Sequence, residues 1–385
     1  MIEGTSLEKI CLLGAGDVPH ECRTLARSMP DHRRETPVRD IAGGPALVLH
    51  TSGTTGRPKG VMLSRAAVED TVRLRQSFAG MRSDSVAVVP SCLTQSVGLY
   101  QSLALLVSGA TIVLLRGYDI DRMVECVNRY RPTHLIMVVS AFDGLLFHPA
   151  VTRDSLASLR FAAVGADRVT PRVQDRFAAL TGRALGTTYG LSESSWALVN
   201  AGGRIDKGLS LGRASPGVEV QLLDAEGREV PRGAIGEIHI RSPRTMQGYL
   251  NDGEGTRAAF RDGWLATGDL AFSDEEGYFW FAGRSKSIIV LSSGDTVSPA
   301  EIEDAILACP GVKACGVIAG SAPDGSEVPC AFVAPANGGL SEERLLEFLR
   351  ARLSDYKLPR RIVFLHDLPQ SAGGKIPREL LKQLV

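Results

Sequence analysis

Residues 47–64, LVLHTSGTTGRPKGVMLS, crowd hydroxyls, glycines and a single lysine into one short stretch. Gly53 and Gly56 let the backbone approach an anion closely. Thr51, Ser52, Thr54 and Thr55 add hydroxyl donors, and Lys59 adds a full positive charge. Such a set suits phosphate, although a solvated Gly/Ser/Thr turn has the same composition. It is not a Walker A loop, because Arg57 and Pro58 precede Lys59 and Gly60 follows it where Ser or Thr would stand. Leu47, Val48 and Leu49 read as the end of a buried strand. Ser64 reads as the N-cap of a helix with Ala67, Val68, Val72 and Leu74 on or near one face. The expected layout is therefore strand, phosphate loop, helix.

The elements around this loop alternate. SVAVVP, ATIVLL, THLIMVV and LRFAAVG are strand-like, whereas IDRMVECVNRY and PRVQDRFAALTG are helix-like. The alternation predicts a layered α/β core with a largely parallel sheet. After Leu211 the texture changes to hairpins, in VEVQLLDAEGREV and LAFSDEEGYFWFAG. A small α+β unit is expected from about Ser287. Ser298-Pro299-Ala300-Glu301 reads as a capping box with proline in the first turn, and Ser341 caps a helix bearing Leu345, Leu346, Leu349 and Leu353. Lys+Arg and Asp+Glu both total 43, so the overall charge points to neither nucleic acid nor an anionic membrane. The seven cysteines are scattered without a Cys-x-x-Cys pair, which predicts reduced thiols and a cytoplasmic protein. LYQSLALLVSGATIVLL is interrupted by polar residues and fits a buried helix and strand better than a membrane span.

Seven segments in order resemble the adenylate-forming superfamily of acyl-CoA synthetases, peptide-synthetase adenylation domains and luciferases. They are HTSGTTGRPKG (50–60), TTYGLSES (187–194), GEIHIRS with GY (236–249), GWLATGDL (263–270), GRSKSIIVLSSGDTVSPAEIE (283–303), YKLPR (356–360) and GGKIPR (373–378). The resemblance implies activation of a carboxylic acid by ATP as an acyl-adenylate, with release of pyrophosphate, followed by thioester formation with CoA or a carrier-protein pantetheine. Thr51, Ser52, Gly53, Thr54, Thr55, Gly56 and Lys59 would hold the β- and γ-phosphates. Glu193 would hold Mg2+, to which a carboxylate is a natural ligand. Thr187, Thr188, Tyr189 and Gly190 would line the nucleotide, Tyr189 stacking on adenine, with Gly165, Ala166 and Asp167 along the purine edge. Asp269 would accept the ribose hydroxyls, and Arg284 would contact ribose or phosphate. Lys375 would bridge carboxylate, α-phosphate and ribose as charge develops. With Glu193, Lys59 and Thr188 it makes up the expected catalytic set.

The same resemblance implies an adenylation core over residues 1–285, shortened at its N-terminus, and a small mobile domain over 286–385 hinged at Lys286. Gly294 would face the pantetheine arm, and Gln95, Ser96, Val164 and Gly190 would border the acyl group. The stretch 93–96 offers no aspartate for an α-ammonium group, which argues against an α-amino acid substrate. His50 reads as a strand-end packing residue. About 46 residues precede the phosphate loop, in which ICLLGAG could be a remaining strand. So short a leader predicts an uncovered sheet edge, and with it a homodimer or a partner subunit. Other readings are transfer of the adenylate to an amine, or a non-catalytic nucleotide-binding descendant; retention of Glu193 and Lys375 argues against the latter.

Overall fold

The computed structural model describes residues 10–13, 44–51, 59–115, 118–293, 295–322, 326–336, 339–369, 376 and 378–384. The chain forms two compact units. One comprises Met1–Val169, Val173–Val220 and Ile240–Ala266, the other Thr170–Arg172, Gln221–His239 and Thr267–Val385.

In the first unit the strands are β1 (Ile10–Leu13), β2 (Leu47–Thr51), β3 (Lys59–Leu63), β4 (Val86–Val89), β5 (Thr111–Leu115), β6 (His134–Val138), β7 (Phe161–Gly165), β8 (Gly186–Leu191), β9 (Ser195–Asn200) and β10 (Arg213–Ala214). Helices α1 (Arg65–Ala79), α2 (Ser96–Val107), α3 (Ile120–Tyr130), α4 (Val139–Phe147) and α5 (Pro171–Thr181) alternate with them. One eight-stranded sheet runs β1-β5-β4-β6-β7-β8-β9-β10, parallel from β1 to β8 and antiparallel thereafter. Successive side chains on β7 show why the sheet needs cover on both sides. Ala162 and Val164 point into one apolar layer with α3, α4 and α5, while Phe161 and Ala163 point into the other with α1 and α2.

Two expectations are corrected here. The phosphate loop does not lead directly into a helix: β3 returns antiparallel to β2, pairing Thr51 with Lys59, and α1 begins only after it. Lys59 is thus a strand residue, fixed by a ladder. Ser64 does cap α1, its hydroxyl accepting from the Ala67 N–H at 3.1 Å. Residues 10–13, by contrast, form the strand that ICLLGAG suggested, at the edge of the main sheet beside β5. The second correction is His50, which lies on β2 with its side chain exposed, so it does not pack.

Further along, β11 (Glu219–Leu223), β12 (Gly236–Arg241), β14 (Phe260–Arg261), β15 (Trp264–Ser273) and β16 (Phe279–Arg284) form a hairpin-rich sheet in the order β11-β12-β15-β14, with β16 also on β15. β13 (Gly248–Tyr249) pairs with β3, and α6 (Gly253–Ala259) follows it. The C-terminal portion contains the short pair β17 (Ile289–Val290) and β18 (Thr296–Val297), then α7 (Pro299–Leu307), β19 (Val312–Ser321), β20 (Glu327–Pro335), α8 (Glu342–Arg350), β21 (Arg361–Phe364) and α9 (Arg378–Lys382). Ile302, Ile306, Val317, Val333, Leu345 and Leu349 make its core. Ser341 caps α8 as expected, accepting from the Arg344 N–H. The box at Ser298 does not form. Its hydroxyl donates instead to the Ala282 carbonyl at 2.7 Å, and the Glu301 carboxylate takes Lys357. Both side chains found partners outside their own helix turn.

Candidate active site

In the first unit, the turn between β8 and β9 carries Glu193. Its Oε1 accepts the Tyr249 hydroxyl at 2.9 Å, and its backbone carbonyl accepts the Met246 N–H at 2.7 Å. Burial, reinforced by the adjacent Glu193 carboxylate, holds the Tyr249 hydroxyl well above its ordinary pKa, so it stays a donor. The Lys59 ammonium sits 4.5 Å from the centre of the Tyr249 ring and 3.4 Å from Asp252 Oδ2. Asp252 also accepts the Gly255 N–H; this bond, with Lys59, keeps its carboxyl below the usual range. One tyrosine therefore positions both the carboxylate suited to a metal and the lysine suited to phosphate. Residue types alone gave Tyr249 no role, although it lies within the GY segment already noted.

The adjoining strands supply a tightly built wall. Thr188 Oγ1 donates to the Val164 carbonyl at 3.1 Å, and Thr187 Oγ1 to the Ser210 carbonyl at 2.6 Å. Those hydroxyls orient strands rather than hang free. A Cβ on Gly165 would come within 2.6 Å of Thr188 Oγ1, and one on Gly190 within 1.7 Å of the Ser195 carbonyl oxygen. The β8–β9 register shifts between Tyr189 and Gly190, and Ser195 opposite has φ 53°. Ala166, just after β7, has φ 69°, a left-handed backbone that costs a residue with a Cβ about 1–2 kcal/mol. Tyr189 is half-buried, with Gly190 and Asp167 exposed beside it.

Gln95 and Ser96 lie at the start of α2, Gln95 exposed and Ser96 partly so. Val164 is a correction: its side chain is 1% exposed in the layer with α3, α4 and α5, away from α2, so only its carbonyl serves the site. In the second unit, Asp269 on β15 faces Arg284 on β16 in register, Nε to Oδ1 2.9 Å, with Asp269 3% exposed. The sequence suggested a ribose contact for Asp269 and a ribose or phosphate contact for Arg284; the structure pairs the two side chains with each other. Lys286 is exposed in a short turn at Ser285–Ser287. Ser52, Gly53, Thr54, Thr55, Gly56, Gly294 and Lys375 lie outside the described residues.

Mg2+ is commonly held by one or two protein carboxylates, with substrate phosphates and water completing its octahedron. A single carboxylate oriented by Tyr249, beside a lysine, fits that requirement, and the ion would draw charge from the phosphate oxygens.

With that geometry in view, the comparisons converge. The AMP-binding enzyme family matches residues 6–250, and the AMP-binding enzyme C-terminal domain matches 301–375. Indoleacetate–CoA ligase of Aromatoleum aromaticum is 33% identical over 345 residues, 89% of this chain and 67% of that protein. ATP-bound MatB from Rhodopseudomonas palustris superposes with a TM-score of 0.81 at 30% identity, over 88% of this chain and 68% of that one. The amide bond synthetase McbA from Marinactinospora thermotolerans gives a TM-score of 0.84 at 31% identity, covering 96% and 74%. The chain belongs to the AMP-binding enzyme family. It is an ATP-dependent, AMP-forming ligase of the acyl-CoA synthetase type. Among the described residues no helix is long and apolar enough to cross a membrane.

Proposed function

We propose that this chain joins a carboxylic acid to the thiol of CoA in two steps. A carboxylate oxygen attacks the α-phosphorus of ATP, the bond to the β-phosphate oxygen breaks, and pyrophosphate leaves. The thiolate sulfur then attacks the acyl carbon, AMP departs with the electron pair of the broken bond, and a thioester remains. The carrying observation is the Lys59–Tyr249–Glu193 arrangement, in which a cation lies over the face of one ring and a carboxylate suited to a metal accepts from its hydroxyl. In-line displacement at phosphorus needs little else from a protein than such positioned charge.

Lys375, entering from a domain that rotates about Lys286, would neutralise the α-phosphoryl oxygens in the first step only. A carrier-protein pantetheine is the second thiol considered, and an amine acceptor is the competing outcome. Pyrophosphate exchange over a panel of acids, followed by trapping with CoA, free pantetheine or an amine, tests the whole reading. Lys375→Ala should abolish exchange yet pass a supplied adenylate to CoA; Lys286→Pro should keep exchange and lose thioester. Equal loss of both half-reactions in Lys375→Ala would remove that assignment, and amide as the sole product would replace the thiol step. Light scattering on the same preparation reads the homodimer expectation.

A further inference from the structure

Arg75 is among the largest fully buried side chains of the first unit, 2% exposed on the inner face of α1. Among the described residues neither its Nε nor its Nη1 has a hydrogen-bond partner. The guanidinium instead lies over two rings, 4.3 Å from the centre of Trp196 and 5.3 Å from that of Tyr100. Desolvation pulls its pKa from 12.5 down to about 9, so it is still charged at neutral pH. Ring contacts return only part of what stripping water from a charge costs. Gln101, the residue after Tyr100, is 0% exposed, and its Oε1 and Nε2 both lack partners among the described residues; so does the buried Ser102 hydroxyl. Fully buried polar groups seldom go unmet, and where the protein offers no partner a water, an ion or a ligand ordinarily supplies one.

Their place in the unit says which ligand. Tyr100 stands one helical turn beyond Ser96 on α2, on the same face. Trp196 is paired across the β8–β9 ladder with Gly190. Arg75 is therefore held between the two elements that carry the acyl-side residues Ser96 and Gly190. A planar guanidinium in dry surroundings suits a carboxylate, which it can bind through two parallel N–H donors.

We infer that Arg75, with Gln101, recognises a second carboxylate at the far end of the acid substrate, so that the chain selects dicarboxylic acids over hydrocarbon monoacids. This rests on the acid-activating reading above. An acid with a purely apolar tail would leave the charge buried and unmet, and sites built around a polar partner discriminate strongly against analogues that lack it.

The test uses matched pairs, adipate against hexanoate and 4-carboxyphenylacetate against phenylacetate, in pyrophosphate exchange and in calorimetric binding without ATP. Wild type should favour each diacid, and Arg75→Met should lower the diacid-to-monoacid ratio of kcat/KM on the order of 100-fold, with diacid binding lost. Gln101→Leu should lower the ratio by a smaller factor, and melting curves confirm that both variants fold. Equal use of diacids and monoacids by wild type, or an unchanged ratio in Arg75→Met, overturns the inference. Diacid binding that needs Arg75, without exchange on any acid, would uphold the site and sink the ligase reading instead. Absence of both binding and exchange with every diacid overturns the site.

Discussion

Two arginines of the first unit are buried to the same degree and treated in opposite ways. Arg244 and Arg75 are each 2% exposed. Arg244 gives Nη1 to Asp70 at 2.6 Å, and Nη2 to the Ser215 hydroxyl and the Pro216 carbonyl at 2.9 and 2.8 Å. Arg75 has aromatic faces for company. The first ties helix α1 to the segments around Ser215 and Arg244, residues far apart in sequence. The second contributes a charge for which the described residues offer no acceptor. Burial alone does not reveal what a charged residue is for; the inventory of its partners does.

Stability measurements can break or sharpen that contrast. Arg244→Met should cost the most, about 3 kcal/mol in urea unfolding, because three polar groups lose a charged donor at once. A loss below about 0.5 kcal/mol would mean that the corner relaxes and that Arg244 is no tie. Asp70→Asn comes next, at about 1 kcal/mol: the Asp70 side chain is 42% exposed, and water replaces much of the lost attraction. Arg75→Met should be the mildest, within about 1 kcal/mol of wild type or slightly stabilising, because an unpaired charge and its ring contacts go together. A loss as large as that of Arg244→Met would show that the Trp196–Arg75–Tyr100 stack is structural cement, and the contrast would collapse.

The layered core was readable because its cues are local. Strands such as His134–Val138 and helices such as Ile120–Tyr130 stand out by apolar run length and period, and Ser64 capped where its type and position predicted. Misreadings came where a distant partner decided the outcome. Lys59–Leu63 is five residues long and became a strand by pairing with Leu47–Thr51. Ser298 left its own helix for the Ala282 carbonyl. Asp269 and Arg284 were each noticed, but their mutual pairing depends on a cross-strand register that no short motif carries. Arg75 had a usable signal: it follows Thr71 and Val72 and precedes Ala79 at helical spacing, all four buried. An arginine in a helix is ordinarily taken for a solvated face, and that habit hid it.

The Lys59–Asp252 pair has a consequence for timing. Both side chains are partly in water, at 29% and 37% exposure, and exposed side chains exchange rotamers in picoseconds to nanoseconds. If Lys59 takes a phosphate as proposed, a nucleotide arriving by diffusion would meet a lysine that lets go of its carboxylate far faster than the encounter proceeds. Asp252 would then work as a placeholder, keeping the ammonium over the Tyr249 ring between visits and setting no waiting time on the arrival of phosphate.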